Sequence, residues 1–233
     1  MHTEKVYTRK GEKYQGNSYI EYPEQKECLM IINPNNFEGF YYVLTGLVVP
    51  RPIAFISTIS PDGVTNLAPF SFFNAVSGNP ATVIVSIGRY TGTKSKDTLA
   101  NIETTKEFVI NIVNYEISEA MNSTAAEFPE HVDEFDVSGL TKLPSEIVAP
   151  PRVAESPAQL ECRLNKVVQI GNGDNESGLV IGDVLLVHVK DEIIDGNRID
   201  INKLNAIGRL SGSMYSNIGE TFSLKRPIYQ ENG

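Results

Sequence analysis

The sequence predicts a mainly β protein: an antiparallel sheet of about six strands, closed or partly closed into a barrel, with helices over its openings. Three observations predict it. Apolar runs are separated by turn-forming clusters, Ser60-Pro61-Asp62-Gly63 and Gly171-Asn172-Gly173-Asp174-Asn175, which favour hairpins. Strands joined by hairpins, with few crossover helices between them, pair antiparallel. Strands this long must also hide their edges, and closure is the way a β sheet does so.

Taken in order, residues 1–36 are polar, with tyrosines and glycines scattered without a period. They read as an N-terminal arm, mobile or packed on a partner subunit, ahead of one domain over 37–233. Residues 40–47 (F-Y-Y-V-L-T-G-L) read as a short helix ended by Gly46. Pro50 and Pro52 impose an extended entry into a first strand over 53–59. In the turn that follows, Pro61 presets φ near about −65°, Asp62 can close an Asx-turn and Gly63 accepts positive φ. The second arm, 66–74, contains Pro69, which cannot donate to a ladder, so this arm lies at an edge or leaves the sheet.

A strand at 81–87 and a helix over 95–104 come next, with Ser95 or Asp97 as N-cap. In 107–114, Phe108, Ile110 and Ile112 alternate with Val109, Asn111 and Val113, the pattern of a strand covered on both sides. Residues 117–126 read as a helix with Ala120, Met121 and Ala125 inward. The stretch H-V-D-E-F at 131–135 reads as a short acidic turn or helix; it is not H-E-x-x-H, and His131 reads as solvated. Pro144, Pro150, Pro151 and Pro157 mark a connector rather than a second domain. Two long strands, 159–170 and 178–190, flank the glycine-rich turn, and a third is expected over 193–201.

Composition narrows the partners. The net charge of −9 argues against nucleic acid and anionic membrane surfaces. No apolar run approaches the roughly 20 residues that span a bilayer, and the N-terminus lacks a signal-peptide apolar region. Cys28 and Cys162 fit neither a metal spacing nor a disulfide framework. A cytoplasmic location is the expectation.

The chemistry concentrates in residues 49–98. Phe70, Phe72 and Phe73 stand beside Ser71 and Asn74 on the proline-interrupted arm, where backbone groups between 67 and 73 are available to something other than a strand. Flat apolar walls beside unpaired donors suit a planar heteroaromatic ligand; an edge strand whose phenylalanines fill the core is the alternative. Arg89, Lys94 and Lys96 then occur without an acid among them, just before a helix start. Helix N-termini attract anions, so this is either a phosphate cradle or a capped helix with solvated lysines. The glycine spacing in G-R-Y-T-G-T-K-S fails that of a P-loop, which excludes triphosphate chemistry of that kind. No Ser/His/Asp set, paired-carboxylate motif or metal cluster is legible, so no catalytic residue and no metal ligand is assigned.

V-P-R-P-I-A-F-I-S-T, G-V-T-N-L-A-P-F-S-F-F-N and T-K-S-K-D-T-L-A-N-I, with A-E-S-P-A-Q-L-E-C, L-V-I-G-D-V and R-L-S-G-S-M-Y further on, resemble the flavin reductase-like family over about residues 41–227. That family comprises FMN-binding split β-barrels, including flavoredoxins and reductase components of two-component monooxygenases. The resemblance implies an antiparallel Greek-key split barrel with FMN as cofactor, NAD(P)H as co-substrate, and a homodimer with FMN near its interface. It further implies a monooxygenase or electron-transfer partner.

On that basis Asn66, Leu67, Ala68, Pro69, Phe70, Ser71 and Phe72 would offer the ring main-chain donors and walls. Thr58 and Asn66 would bond the ring edge or ribityl chain. Lys94, Ser95, Lys96 and Thr98 would surround the phosphate, and Asp97 would cap the helix or orient Lys96. Arg51 would contact the cofactor or remain a surface charge, Tyr215 would stack on a ring or sit in a core, and His188 would lie near the flavin or be structural. The implied activity is NAD(P)H:flavin oxidoreduction. A flavoredoxin-type carrier reduced by another protein, or a non-catalytic FMN-binding module, are the alternatives.

Overall fold

The computed structural model describes residues 30–88, 95–172 and 176–229. Most of the N-terminal arm, Arg89, Lys94 and part of the glycine-rich turn therefore lie outside the described residues. The chain divides into two units, Met1–Leu47 and Val48–Gly233, so the predicted helix falls with the first of them. That helix, α1 (Phe40–Leu47), contains Gly46 rather than ending at it.

In the second unit, β1 (Arg51–Pro52) leads into β2 (Ala54–Ile59) and, through the predicted turn, β3 (Thr65–Phe70). Gly63 sits at φ +86°, where a side chain would be strained, and its N–H donates to the Ser60 carbonyl at 3.0 Å. The expected second arm is in fact two strands, because the ladder with β2 ends at Phe70 and a new one begins with β4 (Phe73–Gly78). Then follow β5 (Ala81–Gly88), α2 (Asp97–Thr105), β6 (Glu107–Ile112), α3 (Ser118–Ser123) and α4 (Glu134–Ser138). The connector holds the two short strands β7 (Lys142–Leu143) and β8 (Arg152–Val153), and the long hairpin is β9 (Ala158–Ile170) with β10 (Ser177–Val189). The strand expected over 193–201 is instead a small hairpin, β11 (Ile194–Asp195) and β12 (Arg198–Ile199), followed by α5 (Ile201–Leu204), because Gly196 turns the chain at φ +58°. Last come β13 (Gly208–Arg209) and β14 (Tyr215–Ser216).

Seven strands form one sheet in the order β3-β2-β6-β9-β10-β5-β4, each neighbouring pair antiparallel. The strands at its two ends, β3 and β4, are joined through only Ser71 and Phe72, so the ends of the sheet are tied together and the sheet curls into a barrel. The Ser86 N–H donates to the Phe72 carbonyl at 2.8 Å and fixes that corner.

Alternation along the strands sorts the apolar residues into two cores. Ala54, Ile56, Val83, Val85, Ile87, Phe108, Ile110 and Val180 fill one, into which α2 inserts Leu99 and Ile102. Ile53, Phe55 and Leu67 face the other, covered by Met121 of α3 and Phe135 of α4. β2 is therefore buried on both faces. In the segment around α3, Met121 and Thr124 are buried while Ala125 is exposed, which corrects the inward assignment of Ala125: the helix ends at Ser123, and the period no longer applies beyond it.

Two glycines of β10 leave room for core side chains. A Cβ on Gly178 would come 2.8 Å from Leu99 Cδ2, and one on Gly182 would fall inside the van der Waals surface of Phe108 Cζ. Gly182→Ala should destabilise the fold by roughly 1–2 kcal/mol through overpacking, relieved in part by movement of the Phe108 ring. Chemical denaturation of the two proteins side by side checks this; an unchanged midpoint would mean the ring moves aside at no cost.

Candidate functional site

An open cleft lies where the β3 edge, the start of α2, the segment after α3 and the start of α4 converge. Asn66, Ala68, Pro69 and Phe70 come from β3, and Lys96, Asp97 and Thr98 from the start of α2. Residues 124–127 and Glu134 complete the lining. The fold thus joins two segments that the sequence singled out separately.

The start of α2 differs in detail from expectation. Lys96, not Ser95 or Asp97, occupies the N-cap position, with extended backbone and no side-chain cap bond. Asp97 is the first helical residue, where its charge favours the helix dipole. The first N–H groups of a helix have no intrahelical acceptor, so this end offers donors beside a lysine. Among the described lining residues, Lys96 is accompanied by the acids Asp97, Glu127 and Glu134, and the cleft is consequently mixed in charge rather than basic.

Below the cleft runs a buried polar chain. Glu134 Oε2 accepts from the Leu67 N–H at 3.0 Å and from Asn66 Nδ2 at 3.2 Å. Asn66 Oδ1 in turn accepts from the Thr98 hydroxyl at 2.9 Å. Asn66, Thr98 and Glu134 are all buried, so the chain locks β3, α2 and α4 together. Burial pushes the Glu134 carboxyl above its ordinary value, against the hydrogen bonds from Leu67 and Asn66 that pull it down. Its neighbour Asp133 caps α4 by accepting from the Phe135 N–H and is tied to Lys142 and Thr65. Burial acts to raise the Asp133 carboxyl as well, but Lys142, Thr65 and the Phe135 N–H outweigh it and the pKa is lowered.

This chain corrects the expectation of a free main-chain donor at Leu67. β3 is an edge strand, as Pro69 requires, yet the outward Leu67 N–H is already taken by Glu134, and Pro69 has none to give. In antiparallel alternation Ala68 and Phe70 turn their N–H groups toward β2 instead. The Leu67 side chain is fully buried in the second core. Ala68 and Phe70 therefore serve the cleft as walls, and Pro69 adds an outward carbonyl.

Other expected contacts lie elsewhere. Thr58 is fully buried, accepting from Asn101 Nδ2 at 3.0 Å, and does not line the cleft; α2 covers it. Arg51 is neither a surface charge nor part of the lining. It is buried, with Nη1 on the Val48 carbonyl at 2.6 Å, Nη2 on the Leu210 carbonyl at 2.9 Å and Nε 3.4 Å from Ser71 Oγ. Its guanidinium stands 5.8 Å from the centre of the half-exposed Phe72 ring. Ser71 and Phe72 form the barrel corner next to the cleft, and Ser95 precedes the residues that line it. Tyr215 packs against the second core, under the Arg209 guanidinium at 4.6 Å, with its hydroxyl donating to Asn122 Oδ1 at 3.1 Å. His188 Nε2 lies 2.6 Å from the fully buried Glu161, on the connector side of the sheet. Lys94 lies outside the described residues.

The residues that sequence reasoning missed are Glu134 and the 124–127 segment. Asp133 before Phe135 is a legible N-cap pattern. That Glu134 turns inward follows only from how α4 packs on β3.

Comparison with known proteins gives a consistent picture. The flavin reductase like domain matches residues 46–202. An uncharacterised protein of Halalkalibacterium halodurans is 39% identical over 207 residues, 87% of this chain and 99% of that protein. The crystal structure of nitrilotriacetate monooxygenase component B from Bacillus cereus is similar with a TM-score of 0.82 and 36% identity, covering 85% of this chain and 100% of that one. Flavoredoxin of Desulfovibrio vulgaris shares the fold, with a TM-score of 0.65 and 23% identity over 76% of this chain and 91% of its own.

Proposed function

Because the chain belongs to the flavin reductase-like family, we propose that the cleft binds FMN and that the protein is an NAD(P)H:flavin oxidoreductase. The observation that carries this is the meeting of Lys96, Asp97 and Thr98, at a helix start, with the Ala68-Pro69-Phe70 edge in one cleft. The donor set fits the two ends of that ligand. Helix N–H groups, Lys96 and the Thr98 region suit the phosphate, and the apolar edge beside Phe70 suits a flat ring. When bound, the flavin supplies the electron-transfer chemistry itself, so the protein's task is to hold, orient and shield it. Lys96 holds the phosphate, Asp97 keeps Lys96 and the helix start in place, and β3 sets the plane of the ring.

The electrons pass to free flavin or to a partner oxygenase, in keeping with the similarity to a monooxygenase component. The second reading is an electron carrier reduced by another protein, favoured by the shared fold of a flavoredoxin. The working form is a homodimer with FMN near the interface. Its support is the exposure of Phe222, Leu224, Ile228 and Tyr229 toward the C-terminus, each more than four-fifths accessible, since such apolar surface is usually covered by a partner. Sedimentation equilibrium of the full chain tests that assembly, and a monomer would overturn it.

The deciding experiment is anaerobic titration of FMN-loaded protein with NADH and with NADPH, followed by absorbance. Bleaching by either nicotinamide supports the reductase. Persistent colour with both would leave the carrier, and a protein that takes up no FMN while folded would end both readings.

A further inference from the structure

We propose that Glu134 selects for the sugar-alcohol chain of the flavin, its Oε1 accepting a hydrogen bond from a ribityl hydroxyl in the cleft; this rests on the FMN reading above. Glu134 is only 7% exposed, yet it lines the cleft. The hydrogen bonds it accepts from other residues, Asn66 and Leu67, go to Oε2, and its own backbone N–H also acts on the carboxyl. Oε1 accepts from neither residue, and among the described residues the one fully enclosed side-chain polar atom without a partner is Asn114 Oδ1. Because Glu134 lines the cleft, Oε1 is the carboxyl oxygen left for a ligand there to meet.

Charge decides what it can take there. A carboxylate repels phosphate, so the phosphate belongs to Lys96 and the helix start, and Glu134 requires a donor. Between the phosphate and the ring of FMN, the donors are the ribityl hydroxyls. The floor is rigid enough to discriminate. Asn66 bridges Glu134 to Thr98, which ties the acceptor to the start of α2, so the spacing between acceptor and anion site is held by buried hydrogen bonds. A partly buried acid that has one oxygen saturated gains most from a donor offered to the other, because the alternative is an ion facing an apolar wall.

Riboflavin and lumiflavin test this, because both are uncharged and differ in whether the ring carries the ribityl chain. Their affinities, with that of FMN, are measured by fluorescence quenching on the full chain and on Glu134→Gln and Glu134→Asp. Glu134→Gln keeps a carbonyl for Leu67 and Asn66 and so preserves the fold, but turns an amide toward the cleft. Glu134→Asp keeps the charge and withdraws the carboxylate by one methylene. The full chain should prefer riboflavin to lumiflavin, and each variant should lose about tenfold of that preference with lumiflavin binding unchanged. Equal weakening of both ligands, or no change in either variant, overturns the proposal. FMN binding with an unaltered preference overturns this inference alone. Failure of the unmodified chain to bind FMN overturns the cleft reading and this inference together. Thermal melts of the variants separate a lost contact from a lost fold, and a shift in ligand preference at an unchanged melt supports the contact.

Discussion

Replacing Glu161 by Ala lowers the unfolding free energy by about 3–5 kcal/mol, the cost of breaking a buried ionic hydrogen-bond group. Glu161 sits in β9 with a fully buried side chain. Oε1 accepts from the Glu146 N–H at 2.8 Å and is 2.6 Å from His188 Nε2. Oε2 accepts from the Ile147 and Val148 N–H groups at 2.7 and 3.1 Å. One carboxylate thus satisfies three backbone donors of the proline-rich connector and anchors it to the sheet. Alanine leaves those donors and the imidazole without an acceptor, each at roughly 1–3 kcal/mol when it stays buried.

Glu161→Gln should cost nearly as much, because its NH₂ would have to face donors on whichever side it lies. Equilibrium urea unfolding measures both, and a variant within about 1 kcal/mol of the parent, well below the cost of a broken buried group, would mean that water replaces the carboxylate. Burial acts to raise the Glu161 carboxyl, but the Glu146 N–H, His188 and the Ile147 and Val148 N–H groups outweigh it, and its pKa lies below the ordinary 4.5. Its contribution is therefore present above that ordinary value and is lost as pH falls through the lowered folded value. The gap between the parent and Glu161→Ala should accordingly be full at pH near 7 and narrow in the acid range below about 4.5.

If the proposed site holds FMN, Lys96→Ala should bind it about 10–100-fold more weakly than the parent, the worth of one charge-assisted hydrogen bond of ~1.5–3 kcal/mol. Lys96 is the one lysine in the lining of the cleft among the described residues, and it occupies the N-cap position of α2. Riboflavin, which lacks the phosphate, should bind the variant and the parent alike. That contrast distinguishes loss of the anion contact from damage to the cleft. Isothermal titration with both ligands reads it directly. FMN affinity unchanged in the variant would move the phosphate away from the start of α2, whereas a parallel loss for riboflavin would indicate a role for Lys96 in shaping the wall. The effect on FMN should shrink as ionic strength rises, since this end of the cleft is open to solvent and its charges are screened.

Much of the barrel is legible in the chain. The turn at residues 60–63, the edge position of the arm containing Pro69 and the long hairpin of β9 and β10 all rest on interactions between residues close in sequence. Local φ preferences and a two-residue period act over those distances, so they can be read without knowing the fold. The place of Lys96 at the start of α2 is legible for the same reason: a lysine just before a helix start is a local pattern.

The chain by itself determined the strands, their turns, the helix beginning beside Lys96 and the edge carrying Ala68-Pro69-Phe70. Tertiary structure alone decided which of those groups a ligand can reach. Glu134 meets Asn66 across 68 residues of sequence and takes the Leu67 N–H that the bare strand would have offered. Arg51 turns into the protein to hold the Val48 and Leu210 carbonyls, and Thr58 disappears under α2. A buried donor or acceptor must find a partner wherever packing brings one. That choice depends on which distant segments come to rest against each other, and no local period carries it.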